Sequence, residues 1–162
     1  MKAVVQRVKR ASITTGHESP GSGTRESVNL GSMGIGLFVL LGLMDGDTDE
    51  DLDWVAGKIG RLRVFDDDDG KMNLSLADVG GTLAVVSQFT LCGDVRRGNR
   101  PSWSRAMPVS EARDFWPRVR RRFEGLGIDC IFGRFQAMMD CEIVNDGPVT
   151  LIVDSADRRR NG

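Results

Sequence analysis

Apolar and polar residues alternate from Ala3 to Thr14, with Ala3, Val5, Arg7 and Lys9 on one side and Val4, Gln6, Val8 and Arg10 on the other. That two-residue period predicts a strand. A long polar turn follows over residues 16–29, and "GSMGIG", Gly31 to Gly36, reads as a turn into the next strand. No helix follows it, and its spacing is that of neither common nucleotide-binding loop. "GIGLFVLLGL", Gly34 to Leu43, is continuously apolar and predicts a central strand buried on both faces. The period then lengthens. "DTDEDLDWVAGKIGRLRVF" places Leu52, Val55, Ile59 and Leu62 at helical spacing, with acidic residues in the N-terminal turn where the helix dipole favours them.

"TLAVVSQFTL", Thr82 to Leu91, predicts a second buried strand. "VSEARDFWPRVRRRFEGLG" predicts a second helix with Phe115, Val119, Phe123 and Leu126 inward, and Pro117 is expected to kink it or to mark a broken first turn. "IDCIFGRFQ", "MDCEIVN" and "VTLIVDS" supply further strands. The expected fold class is α/β: one domain over residues 1–154, a mixed, largely antiparallel sheet with two helices packed on it. The basic tail is residues 155–162, and its arginine-rich end, "RRRNG", is expected to fray.

Between the last two apolar runs stands "NDGPVT", residues 145–150. Proline cannot donate to a sheet ladder, so Pro148 belongs at an edge, a bulge or a turn. A hairpin turn is the plain reading. The alternative is a rigid backbone device, because an X-Pro bond becomes cis at a cost of only about 0.5–1 kcal/mol.

Composition narrows the functions. The 162 residues are 40% hydrophobic, enough for one core, and 22 Lys+Arg against 23 Asp+Glu leave no global field for nucleic acid, so any RNA contact must be local. The longest apolar run, "LFVLLGLM", is too short to span a bilayer. Three widely spaced cysteines, Cys92, Cys130 and Cys141, suggest neither a disulfide framework nor a zinc site, and a reducing cytoplasm is expected. The single histidine, His17, lies in a Gly/Ser/Pro-rich stretch, which removes the usual base for nucleophilic catalysis.

Three local clusters carry candidate chemistry. "DDDDG", Asp66 to Gly70, fails the calcium-loop register and reads as a solvated turn. "DVRRGNRPSWSR" gathers Arg96, Arg97, Arg100 and Arg105 beside Trp103. It is either a solvated loop or a small phosphate-contacting patch with a stacking surface. "SQFTL", with Ser87, Gln88, Phe89 and Thr90, ends a strand where backbone N–H groups can hold a developing oxyanion; Thr90 has no visible base to make it a nucleophile.

"SQFTL" and "NDGPVT", taken with "GKMNLSLADVGGTLAVV" and "RGNRPSW", closely resemble the D-aminoacyl-tRNA deacylases, from Met1 to about Asp154. The resemblance implies hydrolysis of the ester of D-aminoacyl-tRNA, and of mischarged glycyl-tRNA, with the L form rejected. It implies chiral proofreading in translation by a homodimer with active sites at the subunit interface, binding the charged 3′ end of tRNA and needing no cofactor or metal. Phe89 and Thr90 would act through backbone N–H groups beside Ser87 and Gln88. Gly147 and Pro148 of the partner, joined by a cis bond, would form the chirality filter, braced by Arg7 bonding its carbonyl and by Asn145 and Thr150. Main chain suits such a filter, since an off-rotamer side chain costs about 0.5–1.5 kcal/mol, whereas peptide rotation faces about 18–20 kcal/mol. Arg96, Arg97, Arg100 and Trp103 are candidate RNA contacts. Departures from the family pattern are the long 16–29 stretch, Cys92-Gly93 and Gln136. The competing reading is a non-catalytic module for the tRNA 3′ end.

Overall fold

Alternating burial makes the first strand, β1 (Lys2–Thr15), the spine of the sheet. A computed structural model describes residues 1–16 and 27–160, so His17 and most of the expected polar turn fall outside the described residues. β2 (Val28–Met33) and β3 (Gly36–Gly42) pair antiparallel with successive halves of β1 along one side. The long last strand, β8 (Met139–Asp154), pairs antiparallel with β1 along the other side. β3, β6 (Thr82–Ser87) and β7 (Cys130–Phe132) continue the sheet in parallel. The sheet is therefore mixed, and its antiparallel part is the half around β1. A Cβ added to Gly31 of β2 would lie 3.0 Å from Ile131 of β7, so the sheet curls until its ends meet.

α1 (Asp49–Gly60) begins at a capping box in which Thr48 and Asp51 satisfy each other's backbone donors. It ends earlier than the periodicity suggests. Arg63–Asp66 instead forms β4, which pairs with β5 (Met72–Ser75) around the acidic turn. α2 (Val109–Glu124) runs through Pro117 without interruption, so Pro117 marks no broken first turn. Pro117 is exposed, which leaves the Arg113 carbonyl it cannot bond facing water. Leu52, Val55 and Ile59 of α1 join Phe115, Val119 and Phe123 of α2 in one core against the sheet. Val8, Ile13, Phe38 and Val86 form a second cluster. No helix among the described residues is long and apolar enough to cross a membrane.

Three further sequence-based expectations change. The strand from Thr82 stops at Ser87, and Phe89–Cys92 turns into a 3-10 helix. Ser155–Arg160 is also 3-10 helical; Ser155 is buried and Arg158, the first residue of "RRRNG", pairs with Asp51 at 3.2 Å, so the tail is docked as far as Arg158. And "NDGPVT" is no hairpin turn, because both flanks of it pair end to end with β1.

Candidate active site

Between the pairs Gln6↔Thr150 and Val8↔Asn145, β1 spends one residue, Arg7, while β8 spends four, Asp146 to Val149. The surplus main chain must loop out of the ladder, and Gly147 and Pro148 are the exposed residues of that bulge. The position suits both. Pro148 sits where no ladder donor is needed. Gly147 has φ +114°, and a Cβ there would come within 3.0 Å of the Val149 nitrogen. The peptide bond between them is cis.

Neighbouring side chains hold the bulge at its base. Asn145 donates from Nδ2 to the carbonyls of Arg7 (2.8 Å) and Val149 (3.2 Å), and the Thr150 hydroxyl donates to Asn145 Oδ1 at 3.4 Å. Arg7 is 8% exposed, unusual for an arginine, and its partners explain it. Nη1 donates to the Val64 carbonyl at 2.6 Å, while Nε lies 3.2 Å from an Asp146 oxygen without hydrogen-bond alignment. Arg7 thus pairs with the bulge through the Asp146 carboxylate, with Nη2 against Gly147, where a bond to the Gly-Pro loop's own carbonyl was expected. Asp146 was not singled out from the sequence.

A separate pocket of about 200 Å³ opens where β3 and β6 end. It is lined by Ser87, Gln88 and Phe89 from the end of β6, by Leu41 and Leu43 from the end of β3, and by Met107, Val109, Ala112, Phe135 and Gln136. Gln88 donates its backbone N–H to Leu41 at 2.8 Å. The first backbone bond of the 3-10 turn is Leu91 to Gln88 at 3.2 Å, so the N–H groups of Phe89 and Thr90 lie ahead of the turn's own ladder. The Gln88 side-chain amide donates to the Thr90 hydroxyl, whose partner is therefore an amide and not a base. No residue lining the pocket is ionisable. Among the described residues, no group of three His, Cys, Asp or Glu side chains is placed to hold a metal.

At the mouth, Phe89 is 58% exposed and meets Trp103 edge to face, with ring centroids 5.3 Å apart. Gly93 makes room for the indole, since a Cβ there would lie 2.7 Å from its Cζ3. The basic loop is pinned by paired backbone bonds between Asp94 and Ser102. Arg96 is spent internally: its guanidinium grips the Asp94 carboxylate and holds that acid well below the usual range. Arg97 and Arg100 remain exposed. Cys92 lies buried with its Sγ 3.2 Å from the Leu43 carbonyl; burial pushes its thiol up, away from nucleophilic use.

A family model described as D-Tyr-tRNA(Tyr) deacylase matches residues 4–154. The chain belongs to the D-Tyr-tRNA(Tyr) deacylase family. It is 46% identical over 155 residues to the D-aminoacyl-tRNA deacylase of Desulfitobacterium hafniense strain DCB-2, covering 96% of this chain and 97% of that one. The enzyme of the same name from Symbiobacterium thermophilum is 45% identical, with 96% of each chain covered. A solved structure of the c-Myc DNA Unwinding Element Binding Protein superposes with TM-score 0.82 at 38% identity, over 95% of this chain and 98% of that one. Membership makes the chain an ester hydrolase of the D-aminoacyl-tRNA deacylase kind, and decides against the non-catalytic module.

The deacylase reading absorbs "SQFTL" as one wall of the pocket. Met107, Phe135 and the α2 residues Val109 and Ala112, which complete the lining with Gln136, were missed, because only the folded chain brings them there. Their sole local signal was Gln136, a departure from the family pattern.

Proposed function

We propose that the pocket seats the 3′-terminal nucleoside of D-aminoacyl-tRNA and that the N–H groups of Phe89 and Thr90 polarise the ester carbonyl. One observation supports this: a largely apolar pocket with no ionisable side chain, lined by Ser87, Gln88 and Phe89 where the 3-10 turn starts, with the N–H groups of Phe89 and Thr90 ahead of that turn's own ladder. Water attacks the carbonyl carbon, negative charge moves onto the oxygen the two donors face, and the bond to the ribose oxygen breaks as that oxygen takes the proton. The neighbouring ribose hydroxyl assists, since the pocket lining offers no base. Phe89 and Trp103 give a stacking edge for the bases before the terminal one, with Arg97 and Arg100 near their phosphates.

The chirality filter is Gly147-Pro148 supplied by a second copy of the chain. Register favours this. Pocket residue Leu41 pairs with Ala3, whereas the bulge stands level with Arg7, four residues further along β1 and on its opposite side. Strand geometry puts the two roughly 13 Å apart along the strands and roughly 10 Å across them. A homodimer brings the bulge of one protomer to the pocket of the other. Exposed Leu151 and Ile152 on β8 belong to the contact surface. The filter tests handedness at the α-carbon, so D side chains of different size pass, and glycine passes too. The enzyme works in the cytoplasm, where charged tRNA is found.

The test is paired deacylation of D-, L- and glycyl-tRNA. Release of D-amino acid and glycine with the L form spared is expected; equal hydrolysis of D and L forms defeats the proposal.

A further inference from the structure

Gln136 has φ +62°, the sole left-handed non-glycine residue among those described. It lines the same pocket as Ser87, Gln88 and Phe89. Its side chain, though exposed, is paired: Oε1 accepts from Arg113 Nε at 3.1 Å and from Nη2 at 2.8 Å. A guanidinium has donors only, so the amide orientation is fixed: oxygen toward Arg113, NH₂ away from it. Arg113 itself is anchored on α2 next to Ala112, which lines the same pocket. A long polar side chain in a backbone conformation that favours glycine, held by a two-point clamp at the edge of an otherwise apolar pocket, is costly for a merely solvated surface residue.

We propose that Gln136 is a specificity residue that touches the substrate: its NH₂ group donates to a ring-nitrogen acceptor of the 3′-terminal base. Arg113 is a positioning residue that acts through it. The inference rests on reading the pocket as the seat of the tRNA 3′ end, and it adds a hydrogen-bonded edge to a site otherwise shaped by apolar contact. An amide donor distinguishes a base with an acceptor there from one without, because a mismatch leaves the NH₂ unpaired.

Two variants separate contact from scaffold. Q136E keeps an acceptor for Arg113 but removes the NH₂ donors; Q136G removes the side chain at a φ that glycine adopts without strain. The probe is an RNA hairpin ending in CCA, with binding measured by fluorescence anisotropy beside steady-state release of D-amino acid. Expected results are an affinity loss of about three- to tenfold for Q136G, a larger loss for Q136E, and a smaller one for R113A. The loss should fall on KM with kcat retained and melting temperature unchanged for Q136E. Hairpins whose terminal base is 1-, 3- or 7-deazaadenine locate the acceptor: one of them should bind the wild type about as weakly as the natural hairpin binds Q136G, and lose nothing further in Q136G. Wild-type affinity in both Gln136 variants, or three deaza analogues with no coupling to Gln136, overturns the inference. If the wild type binds the hairpin with this coupling yet releases no D-amino acid, the inference stands and the deacylase chemistry fails.

Discussion

Asn145 donates through its side chain to the main-chain carbonyl of Arg7 at 2.8 Å, and this bond replaces the ladder contact that the β8 bulge takes away. The carbonyl would otherwise face a gap, at a cost of about 1–3 kcal/mol for a buried unpaired group. The same amide also bonds the Val149 carbonyl at 3.2 Å, so one side chain closes both ends of the loop carrying Gly147 and Pro148. Replacing Asn145 by Ala should lower stability by about 1–3 kcal/mol in urea unfolding. It should also weaken discrimination between D- and L-aminoacyl-tRNA, and discrimination unchanged in a folded variant would show that the loop needs no such brace.

Gly147→Ala asks the bulge to hold a Cβ at φ +114°, against the Val149 nitrogen at 3.0 Å and its Cγ2 at 2.8 Å. The site is exposed, so the loop shifts while the core stays folded. Deacylation of D-aminoacyl-tRNA should fall at least about tenfold with a cooperative melt retained, which corresponds to about 1.4 kcal/mol of lost transition-state stabilisation. Full activity would remove the bulge from the reaction.

Thr90→Ala should keep activity within about threefold of wild type, because the proposed contribution of Thr90 is its N–H and its hydroxyl is met by the Gln88 amide. Complete loss in a folded variant, with an acyl-enzyme trapped on the wild-type residue, would instead make the hydroxyl a nucleophile.

Arg7→Met removes the cation that links the Val64 carbonyl to Asp146 and leaves that carbonyl without its 2.6 Å donor. A stability loss of about 1–3 kcal/mol is expected. An Asp146→Asn variant should lose less, since Asp146 is partly open to solvent and keeps a hydrogen-bonding group. A double-mutant cycle by urea unfolding measures how much of the Arg7 effect runs through Asp146.

Acid should unfold the protein partly through Asp67 and Asp78. Asp67 is held below the usual range first by the Lys71 N–H, and Asp78 by the Ser75 hydroxyl and N–H. A carboxyl depressed on folding adds stability that is fully present above its unfolded value, about 3.9, and that is lost as pH falls through the lower folded value. Both sites are solvent-exposed, so the effect is small and confined to below about pH 4. D67N and D78N should flatten that limb in a pH series of thermal melts and leave the neutral region parallel to wild type.

Elements whose own residues set their period were legible in the sequence: the alternation in β1 and the spacing of Leu52, Val55 and Ile59 in α1. β2 was hidden, because "VNLGSM" carries little apolar signal and owes its strand form to pairing with β1. Gly-Pro between two strands signals a turn whenever the strands pair with each other, and only the shared partner β1 reveals a bulge. One wall of the pocket was readable as "SQFTL". The pairing of Gln136 with Arg113 was not, since the two are joined across 23 positions by a contact that no local pattern encodes.

A pocket lined without a single ionisable side chain has a cellular consequence. Hydrolases that depend on a histidine base lose about tenfold in rate for each pH unit below its pKa. This lining carries no proton that mild acidification could add or remove, so in an acid-stressed cell any slowing of the reaction comes from the attacking water or from the substrate's own groups, not from the walls of the pocket.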